Sequence, residues 1–130
     1  MNLLIVDDEY LVVEEVVTVT DWELLGITEI YSATNAVSAV RILNEKKIDI
    51  MICDIEMPQT DGLELSKKAK ENFPDLEIVM LTSHAEFNYV RNALRYGCYD
   101  YLLKPVMEDD IIKVMKNLVT KIERERHQAQ

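Results

Sequence analysis

Short apolar runs and longer periodic segments alternate five times along the chain. The runs are residues 2–6, 27–33, 48–53, 77–81 and 99–103. Runs this short, rich in Ile, Val, Leu and Met, predict strands buried on both faces of a parallel sheet. Between them, apolar residues recur at helical spacing. Leu11, Val12, Val16 and Val17 mark a first helix, although Val is an indifferent helix former. Thr20-Asp21-Trp22-Glu23 predicts a break and a short capped turn that ends at Gly26 and packs Trp22 and Leu25 on the core. Thr34-Asn35 can cap a second helix through Ala36, Val37, Val40, Ile42 and Leu43. A third, over 63–72, puts Leu65 and Ala69 on its inner side and is stopped by Pro74. A fourth, over 86–96, faces Phe87, Val90, Ala93 and Leu94 inward and carries Gly97 at its C-terminal cap. The last starts near Glu108 and carries Ile111, Ile112, Met115, Leu118, Val119 and Ile122. Five strand–helix units in alternation predict an α/β domain whose parallel sheet is covered on both faces. The domain is expected over 1–122. The polar stretch 123–130 continues the last helix at most, as a frayed tail or the start of a linker.

At 130 residues and 48% hydrophobic, the chain has the size and composition of one domain with one core. Its 24 acidic and 14 basic residues leave a net charge of -10. That balance argues against direct nucleic-acid binding, which needs a basic face. No apolar run has the length of a membrane span, and the N-terminus lacks a signal-peptide layout. Cys53 and Cys98 follow no metal spacing and form no disulfide framework. They read as buried thiols in a reducing compartment, which makes a cytoplasmic location the expectation.

The third run ends in a carboxylate, Asp54, followed by the loop 56–62. Ligands of open α/β sheets bind outside the carboxyl ends of the strands, where a carboxylate can meet a substrate without the cost of mid-strand burial. Taken alone, Asp54 reads first as a strand cap or turn residue. The other strand ends change the picture: strand one ends in Asp7-Asp8, strand four in Thr82 and strand five in Lys104. If strand one lies between its neighbours, Asp7, Asp8 and Asp54 share a pocket, and three carboxylates side by side call for a cation. A few hard oxygen ligands on a rigid edge suit Mg²⁺ that keeps several waters and shares phosphate oxygens. Lys104 adds a point charge for the same oxygens, and the Thr82 hydroxyl can donate to one more. Together these form a kit for phosphoryl transfer with Asp54 as nucleophile. Each piece is ordinary by itself; their arrival at four strand ends in order is not.

The segments Val6-Asp7-Asp8-Glu9, Cys53-Asp54-Ile55-Glu56-Met57-Pro58, Asp61-Gly62, Leu81-Thr82-Ser83 and Tyr101-Leu102-Leu103-Lys104-Pro105 resemble the receiver domain of two-component response regulators. The resemblance covers about residues 1–122. It implies a flavodoxin-like (CheY-like) three-layer sandwich, with a five-stranded parallel sheet in the order 2-1-3-4-5 and five helices. It also implies that Asp54 accepts a phosphoryl group from a sensor histidine kinase. Asp7 and Asp8, with Asp54 and the backbone carbonyl of Glu56, would hold Mg²⁺. Lys104 would contact the phosphoryl group and enter Pro105 through a cis peptide. Thr82 and Tyr101 would form a switch pair, a local charge event biasing a two-state element. Asp61-Gly62 would shape the turn into the third helix. Asp8-Glu9-Tyr10-Leu11-Val12, Asp21-Trp22-Glu23-Leu24-Leu25-Gly26, Glu86-Phe87 and Tyr99-Asp100-Tyr101 are similar to receivers that precede an AraC-type DNA-binding domain. DNA would then be reached only through such an output domain, and a homodimer formed on phosphorylation is a further implied partner.

Three positions depart from or vary within the pattern. Ser83 stands where many receivers carry Ala or Gly. Glu56 and His84 occupy positions that tune how fast water removes the phosphoryl group, and His84 reads otherwise as a surface loop residue. Two rival readings stay open from the sequence. One is an aspartyl-phosphate phosphatase using Glu56 as a second acid. The other is a receiver-like interaction module that is never phosphorylated, in which nothing would require the Asp, Asp, Asp, Thr and Lys set together.

Overall fold

A computed structural model describes residues 1–57, 60–83 and 87–129 of the chain, the side chains of 60–61 and 87–90 excepted. In chain order it contains β1 (Asn2–Val6), α1 (Tyr10–Thr18), a 3-10 turn (Trp22–Leu25), β2 (Glu29–Ala33), α2 (Ala36–Glu45) and β3 (Ile50–Asp54). A ribbon of β4 (Glu56–Met57) and β5 (Thr60–Asp61) follows. Then come α3 (Gly62–Asn72), β6 (Glu77–Thr82), α4 (Phe87–Arg95), β7 (Asp100–Leu103) and α5 (Glu108–Gln128). The main sheet is parallel throughout and ordered β2-β1-β3-β6-β7. Counting only its own five strands, that order is 2-1-3-4-5. The antiparallel β4–β5 ribbon lies outside the sheet and has no counterpart in the apolar pattern, because two-residue strands leave no periodicity.

Strand alternation sorts the core into two layers. Leu3 and Ile5 of β1, Ile50 and Ile52 of β3, Val79 and Leu81 of β6 and Leu102 of β7 face one side. There they meet Val13 and Val16 of α1 and Ile111, Met115, Leu118 and Ile122 of α5. Leu4, Val6, Met51, Cys53, Ile78 and Met80 face the other side, against Ala39 and Leu43 of α2, Leu65 and Ala69 of α3 and Ala93 of α4. Trp22 and Leu25 are buried as expected. The Trp22 indole N–H donates to the Val16 carbonyl at 3.0 Å, which ties the 3-10 turn to α1. Asn35 caps α2 through its side chain, and Gly26 adopts a left-handed φ of 91° after the short turn. Both cysteines are buried and unpaired.

The helical stripes are partly out of phase with expectation. Leu11 is 70% exposed and Val17 also faces solvent, whereas Val13 and Val16 are the buried pair of α1. A run of adjacent valines offers two equally apolar stripes about 100° apart, and contact with the sheet selects one. Val37 and Val40 of α2 and Leu94 of α4 are likewise exposed while their neighbours Ala39 and Ala93 are buried. At the crowded helix–sheet contact the small side chain is the one that fits. Phe87 and Val90 lie outside the side chains described.

At the amino edge of the sheet two acidic residues are buried, Asp49 and Glu77. Asp49 accepts from the Asn2 backbone N–H at 2.7 Å and pairs with Arg126. Glu77 pairs with Lys121 at 2.8 Å and Lys70 at 3.7 Å. Arg126 and Lys121 both belong to α5, which runs through the polar stretch as far as Gln128. Asp49→Ala should cost about 1.5–3 kcal/mol in urea unfolding, the range for a hydrogen bond to a charged group. Arg126→Ala should cost less than about 1 kcal/mol, because the arginine is half exposed and solvent screens the pair.

Candidate functional site

Strand register assembles the site at the carboxyl edge. Val6 pairs with Cys53 and Asp54 with Leu81, so Asp7 follows β1 directly beside the end of β3. Thr82 pairs with Leu103, which puts Lys104 one residue past β7. Alternation then divides the set. Asp7, Asp54 and Lys104 share the phase of Ile5, Ile52 and Leu102, while Thr82 and Tyr101 share that of Met80 on the opposite face. Tyr101 is the register partner of Met80, two residues back from Thr82. Such diagonal neighbours on one face lie within reach of an aromatic side chain. Asp54 is the last residue of β3 itself, one residue past the strand end expected at Cys53.

The Lys104 ammonium lies 2.9 Å from Asp7 Oδ2 and 3.4 Å from Asp54 Oδ2. It enters Pro105 through a cis peptide, as the resemblance implies. Asp7 and Asp54 are buried, and Asp8 is exposed. Asp7 Oδ1 accepts from the Glu9 N–H at 2.9 Å, and Asp54 Oδ1 from the Glu56 N–H at 3.0 Å. Asp7 Oδ2 is buried without a properly directed hydrogen bond. Burial pushes the Asp54 carboxyl above the usual range; the Glu56 N–H pulls it back, Asp7 raises it again, and Lys104 opposes Asp7. For Lys104, burial acts downward but is outweighed by its contacts with Asp7 and Asp54, and the ammonium is held above its ordinary value.

Among the described residues, the Asp7 and Asp54 carboxylates thus share one ammonium, with Asp8 beside them. Ligand oxygens of Asp7, Asp8 and Asp54 lie within 4.8 Å of one another. Three carboxylate oxygens this close together can share one hard cation. The negative surplus and the all-oxygen donor set fit Mg²⁺.

Thr82 is fully buried, and its hydroxyl donates to Glu56 Oε1 at 3.2 Å. Tyr101 is half-buried against the second core layer. Ser83 is exposed beside the site. Pro58, His84 and Glu86, and the Asp61 side chain, lie outside what is described. Two features escaped sequence reasoning. The Glu56–Thr82 bond spans 26 residues and leaves no local trace. The demand on Gly62 is the other: a Cβ there would sit 1.9 Å from the Asp54 carbonyl oxygen and 2.9 Å from Ile55 Cα. The Gly62 N–H also donates to the Ile55 carbonyl at 3.2 Å. The Asp-Gly pair signalled a turn, but not that the returning chain presses on the backbone of Asp54.

The sequence profile of the response regulator receiver domain matches residues 3–116. YesN, an uncharacterised transcriptional regulatory protein of Bacillus subtilis, is 34% identical over 95% of this chain and 34% of its own length. The response regulator SaeR of Staphylococcus aureus is 32% identical over 98% of this chain and 54% of its own. The chain spans a third to about half the length of such curated relatives. Among solved structures, a two-component AraC transcriptional regulator from Clostridium phytofermentans superposes with a TM-score of 0.88 at 25% identity. The match covers 100% of this chain and 99% of that one. The receiver domain of AraT, a response regulator from Geobacillus stearothermophilus, gives 0.88 at 30% identity, over 96% and 97% of the two chains.

Replacing glycine by alanine inside a helix normally stabilises by about 0.5–1 kcal/mol. Gly62→Ala should reverse that sign and cost about 1–3 kcal/mol or more, as overpacking does. Urea unfolding of the single variant checks it.

Proposed function

The chain belongs to the response regulator receiver domain family, and on that premise we propose that it is a phosphorylation switch whose phosphoacceptor is Asp54. The observation that carries the proposal is the buried Asp54 carboxylate at the carboxyl end of the central strand, with the Lys104 ammonium at 3.4 Å and Asp7 and Asp8 beside it. A carboxylate oxygen of Asp54 attacks the phosphorus of a phosphohistidine on a sensor kinase. The phosphorus–oxygen bond forms as the phosphorus–nitrogen bond breaks, and the electron pair stays with the imidazole. Water later hydrolyses the acyl phosphate to inorganic phosphate and restores Asp54.

Asp7, Asp8 and Asp54, with the Glu56 backbone carbonyl, would hold Mg²⁺, which when bound neutralises charge on the phosphoryl oxygens. Lys104 supplies fixed positive charge to the same oxygens. It needs little rearrangement, because Asp7 already holds the ammonium at the site. Gly62 lets the chain return close enough to fix the Asp54 backbone. Thr82 then moves its hydroxyl toward the new phosphoryl group, and Tyr101, diagonal to it on the same face, follows inward.

The domain acts as a switch that turns over only its own acyl phosphate. A transcriptional output, reached through a DNA-binding domain joined to it in the manner of AraC-type regulators, is supported by the named regulators among its relatives. The receiver proper is proposed to span 1–122, and the stretch 123–130 to be a polar tail or the start of a linker, although Arg126 within it pairs back with Asp49. A cytoplasmic location follows from a kinase partner that uses intracellular ATP.

Incubation with acetyl phosphate and Mg²⁺ should add one phosphoryl group by intact mass, and Asp54→Asn should lose it while unfolding at a similar urea concentration. Chelation of Mg²⁺ should reduce labelling of the parent to background. Labelling that survives in Asp54→Asn would remove Asp54 as acceptor, and labelling indifferent to chelation would remove the metal role from Asp7 and Asp8.

A further inference from the structure

We infer that the Glu56 side chain is a latch on Thr82, holding the switch hydroxyl in a resting position that phosphorylation of Asp54 has to break. The inference rests on the reading of Asp54 as phosphoacceptor and adds a residue to it. Glu56 touches both ends of the switch. Its backbone N–H donates to Asp54 Oδ1 at 3.0 Å, and its carboxylate accepts from Thr82 Oγ1 at 3.2 Å. It bridges β3 and β6 just beyond the last register pair of the two strands, Asp54 with Leu81.

A hydroxyl has one proton to donate. Thr82 can give it to Glu56 or to a phosphoryl oxygen on Asp54, not to both. Thr82 is fully buried and Glu56 half-buried, so the resting bond, made to a charged acceptor, belongs to the stronger kind. The latch therefore biases the resting state, and its strength is subtracted from the affinity of the site for a phosphoryl group. Release is built into the same geometry. Phosphorylation replaces the Asp54 carboxylate, with its single charge, by an acyl phosphate of roughly -1.5 to -2, so about half to one further negative charge would appear two residues from the Glu56 carboxylate. Repulsion of Glu56 and attraction of the Thr82 proton then act in the same direction. Glu56 is a positioning residue on this account, acting through Thr82 and not on the phosphorus.

The test is titration of the purified protein with fluoroberyllate in the presence of Mg²⁺, read by fluorine NMR, across Glu56→Ala, Glu56→Gln, Thr82→Val and the Glu56→Ala/Thr82→Val double variant. Glu56→Ala should bind on the order of tenfold more tightly than the parent, the worth of one charge-assisted hydrogen bond. Glu56→Gln, which keeps a neutral acceptor, should fall between the two. In the Thr82→Val background, Glu56→Ala should give a clearly smaller gain, the part that repulsion alone supplies. Equal affinity of Glu56→Ala and the parent would overturn the latch. So would equal affinity of the Gln and Ala variants, or an undiminished gain without the Thr82 hydroxyl, because charge alone would then be the cause. Urea unfolding of the parent, Glu56→Ala, Thr82→Val and the double variant without fluoroberyllate reads the bond directly: a non-additive cycle is expected, and additivity overturns the latch. A parent protein that is folded but binds no fluoroberyllate would instead overturn the phosphoacceptor reading and the latch with it. Binding without the variant differences overturns the latch alone.

Discussion

The contact of one ammonium with two buried carboxylates, Lys104 between Asp7 and Asp54, is the constraint on which the site depends. Taking a carboxylate out of water costs several kcal/mol even after relaxation. An ion pair near 4 Å recovers about 4 kcal/mol at an effective dielectric constant near 20. One cation can roughly balance one buried carboxylate, not two with a third at the rim. The resting site is left with unspent attraction for positive charge, which is the property a magnesium-dependent phosphoryl site requires. The fold tolerates this because the rest of the sheet is apolar: β3 and β6 are buried along their whole length, with Leu, Ile, Val, Met and Cys at most positions.

The two faces of the sheet divide the labour. Asp7, Asp54 and Lys104 stand in one strand phase, and Thr82 and Tyr101 in the other. The groups proposed to react therefore share one face, while those proposed to respond lie on the other, over the layer built with α2, α3 and α4. Thr82 is the member of the second set near enough to sense the first. Its link runs through Glu56, whose backbone belongs to the acceptor strand's exit and whose carboxylate reaches the neighbouring strand. A change of charge on Asp54 thus has a short physical route to the face on which Tyr101 lies.

The opposite edge of the sheet has the same composition and a different use. Asp49 and Glu77 are buried acids as well, but α5 supplies Arg126 and Lys121 to meet them, and Asp49 is also capped by a backbone N–H. Their charge is matched by fixed partners, and they read as anchors for the last helix. The two edges show why the number of acidic residues at a strand end says less than the number of cations within reach of them.

Much of this was legible in the chain. Five apolar runs separated by helical periodicity dictate a parallel α/β sheet, because a strand with no polar face has to be covered on both sides. Asp7, Asp54, Thr82 and Lys104 could be placed at strand ends, because strand ends are where such runs stop. Even the glycine after Asp61 announced a turn. What the chain alone left undecided were relations between residues distant in sequence. The burial of Val13 and Val16 in place of Leu11 and Val17 was settled by which stripe met the sheet. The close return of the chain that would put a Cβ at Gly62 only 1.9 Å from the Asp54 carbonyl oxygen exists only because the loop folds back on Asp54. The Glu56–Thr82 bond exists only because β3 and β6 are neighbours in that register. Periodicity and strand limits are written locally, since they follow from each segment's own geometry. Register, close approach and the pairing of buried charge are set by the packing of segments against one another, and only the tertiary structure decides them.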